Sequence, residues 1–178
     1  MANYRRVYDK GGTYFFTVVT QKRRPIFSDE ENIQKLRDAF KRVMKKRPFT
    51  IEAIVILPDH IHCIWKLPHS DSDFSNRWKE IKYRFSIEYN GTFPKSDSMN
   101  KKKEKGLWQR RFWEHLIRDQ EDFNRHFDYI HYNPVKHKLA EKVIDWPYSS
   151  FKRFVNKGIY EENWGSIPPK GIMNMELE

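Results

Sequence analysis

Two hydrophobic periods alternate along the first third of the chain. Residues 13–20, Thr13-Tyr14-Phe15-Phe16-Thr17-Val18-Val19-Thr20, are β-branched and aromatic between Gly11-Gly12 and Arg23-Arg24-Pro25, which predicts a first strand. Ser28 or Asp29 can then cap a helix running to about residue 47, because Ile33, Leu36, Phe40, Val43 and Met44 recur at helical spacing among Lys and Arg. Pro48 stops it. Residues 49–57 carry apolar side chains on both faces, as a central strand covered on both sides does. Pro58-Asp59 makes a tight connection, and residues 60–66 return as an antiparallel partner.

The second half repeats the helix and strand signals less cleanly. Phe74, Trp78, Ile81, Phe85 and Tyr89 form one stripe of a helix over residues 73–89. Residues 90–106 turn to Gly, Pro, Ser, Asn and Lys and predict a mobile, solvated loop. Residues 107–118 interleave aromatics with arginines and predict a further strand. Asp119 can cap the next helix, whose stripe is Phe123, Phe127 and Ile130. Pro134 removes an amide donor and disfavours helix at the residue before it, so that helix is expected to end near Asn133. A short closing helix follows Asp145-Trp146-Pro147-Tyr148-Ser149-Ser150-Phe151. The order β-α-β-β-α-β-α predicts an α+β chain with one core, organised as one domain over residues 1–155 and a C-terminal tail over 156–178.

Charge adds a partner to this outline. The 178 residues hold 34 Lys+Arg against 24 Asp+Glu, a net +10 that points to a polyanion, with nucleic acid first among the candidates. Between residues 73 and 118 twelve cationic side chains face six acidic ones, so most of the surplus sits there. Lys101, Lys102 and Lys103 in the loop, with Trp108, Arg110 and Arg111 after it, are the candidate nucleic-acid contacts: cations for the backbone and a ring for the bases. Cys63 is the sole cysteine, which excludes an intrachain disulfide and suits a reducing, cytoplasmic setting. No apolar run approaches membrane-spanning length, and the N-terminus lacks a signal-peptide pattern.

The chemistry concentrates at two places. In an extended strand His60 and His62 emerge on one face, a pair that can grip a metal ion, whereas an isolated His-x-His is more often structural. Imidazoles alone favour zinc or another transition metal. Tyr129 and Asn133 stand four apart on one face of the later helix, with His126 about one turn earlier.

Four blocks in order, Leu57-Pro58-Asp59-His60-Ile61-His62, Trp108-Gln109-Arg110-Arg111-Phe112-Trp113-Glu114-His115, Asp128-Tyr129-Ile130-His131-Tyr132-Asn133-Pro134-Val135 and Trp146-Pro147-Tyr148-Ser149-Ser150-Phe151, carry a family resemblance over roughly residues 5–155. The chain resembles the His-hydrophobe-His single-tyrosine transposases, most closely the REP-associated tyrosine transposases. Lys138 departs from the glycine that often follows the Asn-Pro-Val block, which bears on the local turn. The resemblance implies a ferredoxin-like or RRM-like antiparallel sheet with helices. It also implies Mg²⁺ or Mn²⁺ held by His60, His62 and Asn133, and Tyr129 as a nucleophile that forms a 5′-phosphotyrosine on single-stranded or hairpin DNA of palindromic repeats. Such a protein would act as a monomer or homodimer. Two other classes stay open on the sequence: a metal nuclease that activates water at the histidines, and an RRM-like binding module in which the histidines are structural.

Overall fold

The computed structural model describes residues 6–102, 105–172, 174, 175 and 177. Four strands, β1 (Thr13–Val19), β2 (Thr50–Ile56), β3 (His60–Lys66) and β4 (Trp113–Leu116), form one sheet in the order β2-β3-β1-β4, with each neighbouring pair antiparallel. Helix α1 (Glu30–Lys46) joins β1 to β2, and α2 (Phe74–Glu88) leads from β3 towards β4. This split β-α-β-β-α-β order is the ferredoxin-like arrangement. The short α3 (Asp97–Lys101), then α4 (Gln120–Lys136) and α5 (Phe151–Val155), complete the helices.

The pleat sorts the core into two layers. Phe16, Val18, Ile61, Cys63 and Trp65 face α1 and α2, where Trp65 stacks on Trp78 at 4.3 Å between ring centroids. Phe15, Val55 and Ile64 face the opposite way, against Phe127, Tyr129 and Ile130 of α4 and Phe151 of α5. Both faces of β1 and β3 are therefore buried, which explains their nearly unbroken apolar sequence. Buried Arg77 locks the start of α2: its guanidinium donates to the Asp71 carboxylate at 2.6 and 3.1 Å and to the carbonyls of Arg47, Pro48 and Asp73. Such a cation is tolerated inside only when so fully paired.

Caps place the helices where the sequence puts them. Asp29 accepts from the amide of Glu31, Asp73 from that of Asn76 and Asp119 from that of Asp122. Three expectations change. The strand after the loop is confined to Trp113–Leu116, because Leu107 to Gln109 pair instead with the end of β1, through Gln21 N to Leu107 O and Gln109 N to Val19 O. Within the loop expected to be wholly irregular, Ser96 caps the one-turn helix α3. Helix α4 does not stop at Asn133 but runs through Pro134 to Lys136. The amides of His137, Lys138 and Leu139 return to the carbonyls of Asn133, Val135 and Pro134, and close the end with Lys138 left-handed at φ 58°. A glycine would take that conformation without strain, which gives the Lys138 departure its physical content.

Candidate active site

The site is built where α4 crosses β3. The ring of Tyr129 lies 5.2 Å from that of His62, and the ring of His137 lies 5.4 Å from that of His60, while the two strand histidines are 4.7 Å apart. Tyr129, Asn133 and His137 follow at four-residue intervals on one stripe of α4 and its cap, so Asn133 is bracketed by the two contacts. His60, His62, Tyr129 and Asn133 are each at most 2% exposed. His137 escapes a reading of the sequence in which Pro134 ends the helix; continuing the helical spacing for one more turn finds it.

Hydrogen bonding fixes the histidine tautomers. Thr17 Oγ1 has one proton, which it donates to the Leu177 carbonyl; its 2.9 Å contact with His62 must then run from His62 Nδ1–H to the hydroxyl. His60 Nδ1 lies 2.6 Å from Oδ1 of Asp59, whose Oδ2 accepts from Arg23 at 3.2 Å. An ionised carboxylate can only accept, so His60 also carries its proton on Nδ1. Both Nε2 atoms are thereby left as lone pairs, and both are buried without a hydrogen-bond partner. The amide oxygen and nitrogen of Asn133 are buried and unpartnered too. Burial pushes His62 well below the usual imidazole pKa, reinforced by the positive fields of Lys136 and Arg23, so it is held neutral. Burial raises the Asp59 carboxyl, but the bonds from His60 and Arg23 outweigh it and leave the pKa lowered. Two unprotonated imidazole nitrogens, each on a ring held through its Nδ1–H, and an amide oxygen fit a divalent cation.

One cation, Lys136, and the segment around Met175 and Leu177 border this pocket. Lys136 donates to Tyr129 Oη at 3.3 Å and to the Met175 carbonyl at 3.0 Å, and its ammonium lies 4.7 Å from the Tyr129 ring centroid. The segment after α5 crosses α4, where Tyr160 Oη donates to Asp128 at 2.5 Å and stacks against Phe127. The chain then brings Met175 and Leu177 onto the Tyr129 side of the core.

A second cluster lies further along the same sheet face. His115, Asp122 and His126 bring ligand-type atoms within 4.8 Å of one another, which is compatible with a divalent ion. Arg118 and Arg125, at 3.1 and 3.7 Å, already place two positive charges on the Asp122 carboxylate, and His115 bonds it at 2.8 Å. These bonds hold Asp122 far below the usual carboxylate range despite its burial. The cluster therefore serves as a hydrogen-bonded anchor between β4 and α4.

The residues expected to touch nucleic acid divide. Trp108 is buried, packed at 5.6 Å against Phe27 and 5.4 Å against Phe85, so it is a core residue rather than an open stacking platform. Lys102, Trp108 and Arg110 border a groove of about 670 Å³ on the α2 side of the sheet, with Arg6, Lys79, Lys82 and Lys105; no carboxylate stands among its described lining residues. Lys101 and Arg111 are exposed beside it. Lys103 lies outside the described residues. Trp113, 37% exposed, edge-on to Phe15 at 5.7 Å and stacked on His115 at 5.9 Å, is an aromatic open to solvent on the Tyr129 side.

A ferredoxin-like sheet with paired strand histidines, facing a tyrosine and an amide on one helix stripe, defines the His-hydrophobe-His single-tyrosine class of strand-transfer proteins. Comparison with known proteins places the chain within it. Residues 10–133 match the family described as IS200-like transposases, and the chain belongs to that family. A REP-associated tyrosine transposase of Escherichia coli K12 is 46% identical over 164 residues, covering 92% of this chain and 91% of its own. A Haemophilus influenzae protein provisionally given the same name is 47% identical over 173 residues, with 94% and 96% covered. The solved structure of a REP-associated tyrosine transposase bound to a REP hairpin superposes with a TM-score of 0.81 at 43% identity, covering 99% of this chain and 96% of that one. The protein is thus a transposase, an enzyme that cuts and transfers DNA strands. Among the described residues no helix is long and apolar enough to cross a membrane.

Proposed function

We propose that this transposase cleaves and rejoins single-stranded DNA beside a hairpin of the palindromic-repeat type, through a covalent 5′-phosphotyrosine on Tyr129. The observation that carries the proposal is that the two strand histidines, with rings 4.7 Å apart, leave both Nε2 atoms buried and bare, while Asn133, on the α4 stripe between the Tyr129–His62 and His137–His60 contacts, has a buried, unpartnered amide. Buried polar atoms without partners are costly, and they persist where a ligand completes them.

His60, His62 and Asn133 would hold Mg²⁺ or Mn²⁺. An ion held there would draw charge off the scissile phosphate and orient it. Tyr129 Oη attacks the phosphorus in line; the new O–P bond replaces the bond to the 3′ oxygen, which leaves as a hydroxyl after taking a proton from solvent. The ester conserves the bond, so a 3′-hydroxyl can attack it later and rejoin strands. Buried Phe15, edge-on to the Tyr129 ring at 6.1 Å, lines its inner side with apolar surface, which would favour transfer over hydrolysis.

The basic groove beside α2, with Lys102 and Arg110 at its border and Lys101 and Arg111 nearby, suits the phosphates of a hairpin stem. Trp113 offers a ring face to an unpaired base near the site. The test is a hairpin with single-stranded flanks, labelled in turn on either side of the cut and incubated with Mn²⁺. The expected product is an SDS-resistant adduct that carries only the downstream label and disappears with EDTA. Cleavage without any adduct would instead identify a water-using nuclease.

A further inference from the structure

We propose that Lys136 is a catalytic residue of the strand-transfer step, carrying charge at the attacking oxygen of Tyr129. This role rests on the assignment of Tyr129 as nucleophile. Lys136 follows Tyr129 by seven residues, two turns along the same face of α4, which is possible only because the helix continues through Pro134. Its Nζ donates to Tyr129 Oη at 3.3 Å, and it sits 4.7 Å from the ring centroid, so the ammonium addresses both the oxygen and the π-face. The side chain is half-buried, where a fixed cation acts more strongly than in water.

The role differs from that of the metal ligands. They face the phosphate; Lys136 faces the nucleophile. As the phenol loses its proton to solvent and the O–P bond forms, negative charge is concentrated on Oη before it is shared with the phosphoryl group, and the ammonium stabilises it there. In rejoining, an incoming 3′-hydroxyl expels the tyrosine oxygen, and the same cation stabilises the departing phenolate. Lys136 keeps its own proton in both directions.

The experiment compares full-length wild type, Lys136→Met and Lys136→Arg in single-turnover adduct formation with Mn²⁺ and a flanked hairpin, alongside hairpin affinity. Lys136→Met is expected to lower the adduct rate by about 10²-fold, the usual effect of removing one preorganised charge-stabilising donor, with Kd changed by less than about threefold. Lys136→Arg should recover much of the rate. Incorporating 2,3,5-trifluorotyrosine at position 129, which stabilises the phenolate intrinsically, should restore at least about tenfold of the rate missing in Lys136→Met, because an acidified phenol no longer depends on the cation. A Lys136→Met rate equal to wild type overturns the proposal. So does a faster rate, which would make Lys136 only a clasp for the Met175 carbonyl, and so does a slower rate that trifluorotyrosine leaves untouched. An adduct that persists in Tyr129→Phe overturns the nucleophile assignment itself, an outcome separate from any behaviour of the Lys136 variants.

Discussion

His62 Nδ1 and Thr17 Oγ1 stand 2.9 Å apart across the β1–β3 pair, and the hydroxyl gives its only proton to the Leu177 carbonyl. The direction of that bond decides which imidazole nitrogen keeps a lone pair. A strand threonine, remote in sequence from every residue of the proposed metal set, thus accepts from His62 Nδ1–H and orients the ring with Nε2 bare.

Thr17→Val keeps the β-branched shape and removes the acceptor. Mn²⁺ affinity is expected to fall by about tenfold or more, the usual cost of losing an outer partner of a ligating histidine, while the circular dichroism spectrum stays unchanged. Unchanged affinity in a calorimetric Mn²⁺ titration would show that His62 is oriented by its packing against Phe15 and Tyr129 alone.

The Met175 and Leu177 carbonyls bind Lys136 and Thr17 directly over the proposed site, and Tyr129 is only 1% exposed. On the proposed mechanism, the segment around Met175 and Leu177 has to withdraw before DNA reaches Tyr129. Removing residues 173–178, which leaves the buried Ile172 in place, is expected to raise the single-turnover adduct rate severalfold without changing hairpin affinity. An equal or lower rate would show that the terminal carbonyls are part of the working site.

The sequence carried the sheet and the histidine pair because both depend on a period of two: His60 and His62 share a face in any extended strand, and β3 occupies the same residues that the alternation marks. Tyr129 and Asn133 were legible for the corresponding reason at helical spacing. What escaped was set by context. Proline restricts the residue before it only on average, and in α4 Pro134 sits in the last turn, where the amides beyond it close a left-handed end at Lys138. His137 and Lys136 were hidden behind that rule. Trp108 looked like a surface ring because it stands among arginines, yet Phe27, from before α1, and Phe85 of α2 close over it. Thr17 to Leu177 spans 160 residues, and no local pattern announces such a pairing.

Lys79, Lys102 and Lys105 are exposed at the basic groove. Replacing all three by Gln is expected to weaken hairpin binding and to reduce the slope of log K against log salt by up to about 3, one for each phosphate no longer neutralised. Fluorescence anisotropy at several salt concentrations measures this. An unchanged slope would place the stem elsewhere on the protein.

His131 is fully buried, with Nε2 2.9 Å from Ser150 Oγ, and desolvation lowers its pKa from 6.5 to about 3. The fold holds it neutral, whereas the unfolded chain binds a proton below pH 6.5, so its contribution to stability is complete above that pH and declines as pH falls towards 3. At pH 5 the reduction from this residue is about 2 kcal/mol. Urea midpoints at pH 7.5 and 5 should separate by less in His131→Gln than in wild type. An equal separation would assign the acid sensitivity to other groups.

The central claim is that Tyr129, among nine tyrosines, forms the bond to DNA. Tyr132, three residues on, packs edge-on to Trp164 at 6.4 Å, while Tyr129 faces His62. The decisive measurement is peptide mapping by mass spectrometry of the adduct formed on a flanked hairpin with Mn²⁺, run beside Tyr129→Phe. The predicted result is a single modified peptide, bearing the nucleotide on Tyr129, and a variant that binds the hairpin with wild-type affinity yet forms no adduct. A nucleotide mapped to Tyr132 or any other residue, or an adduct that survives in Tyr129→Phe, would contradict it.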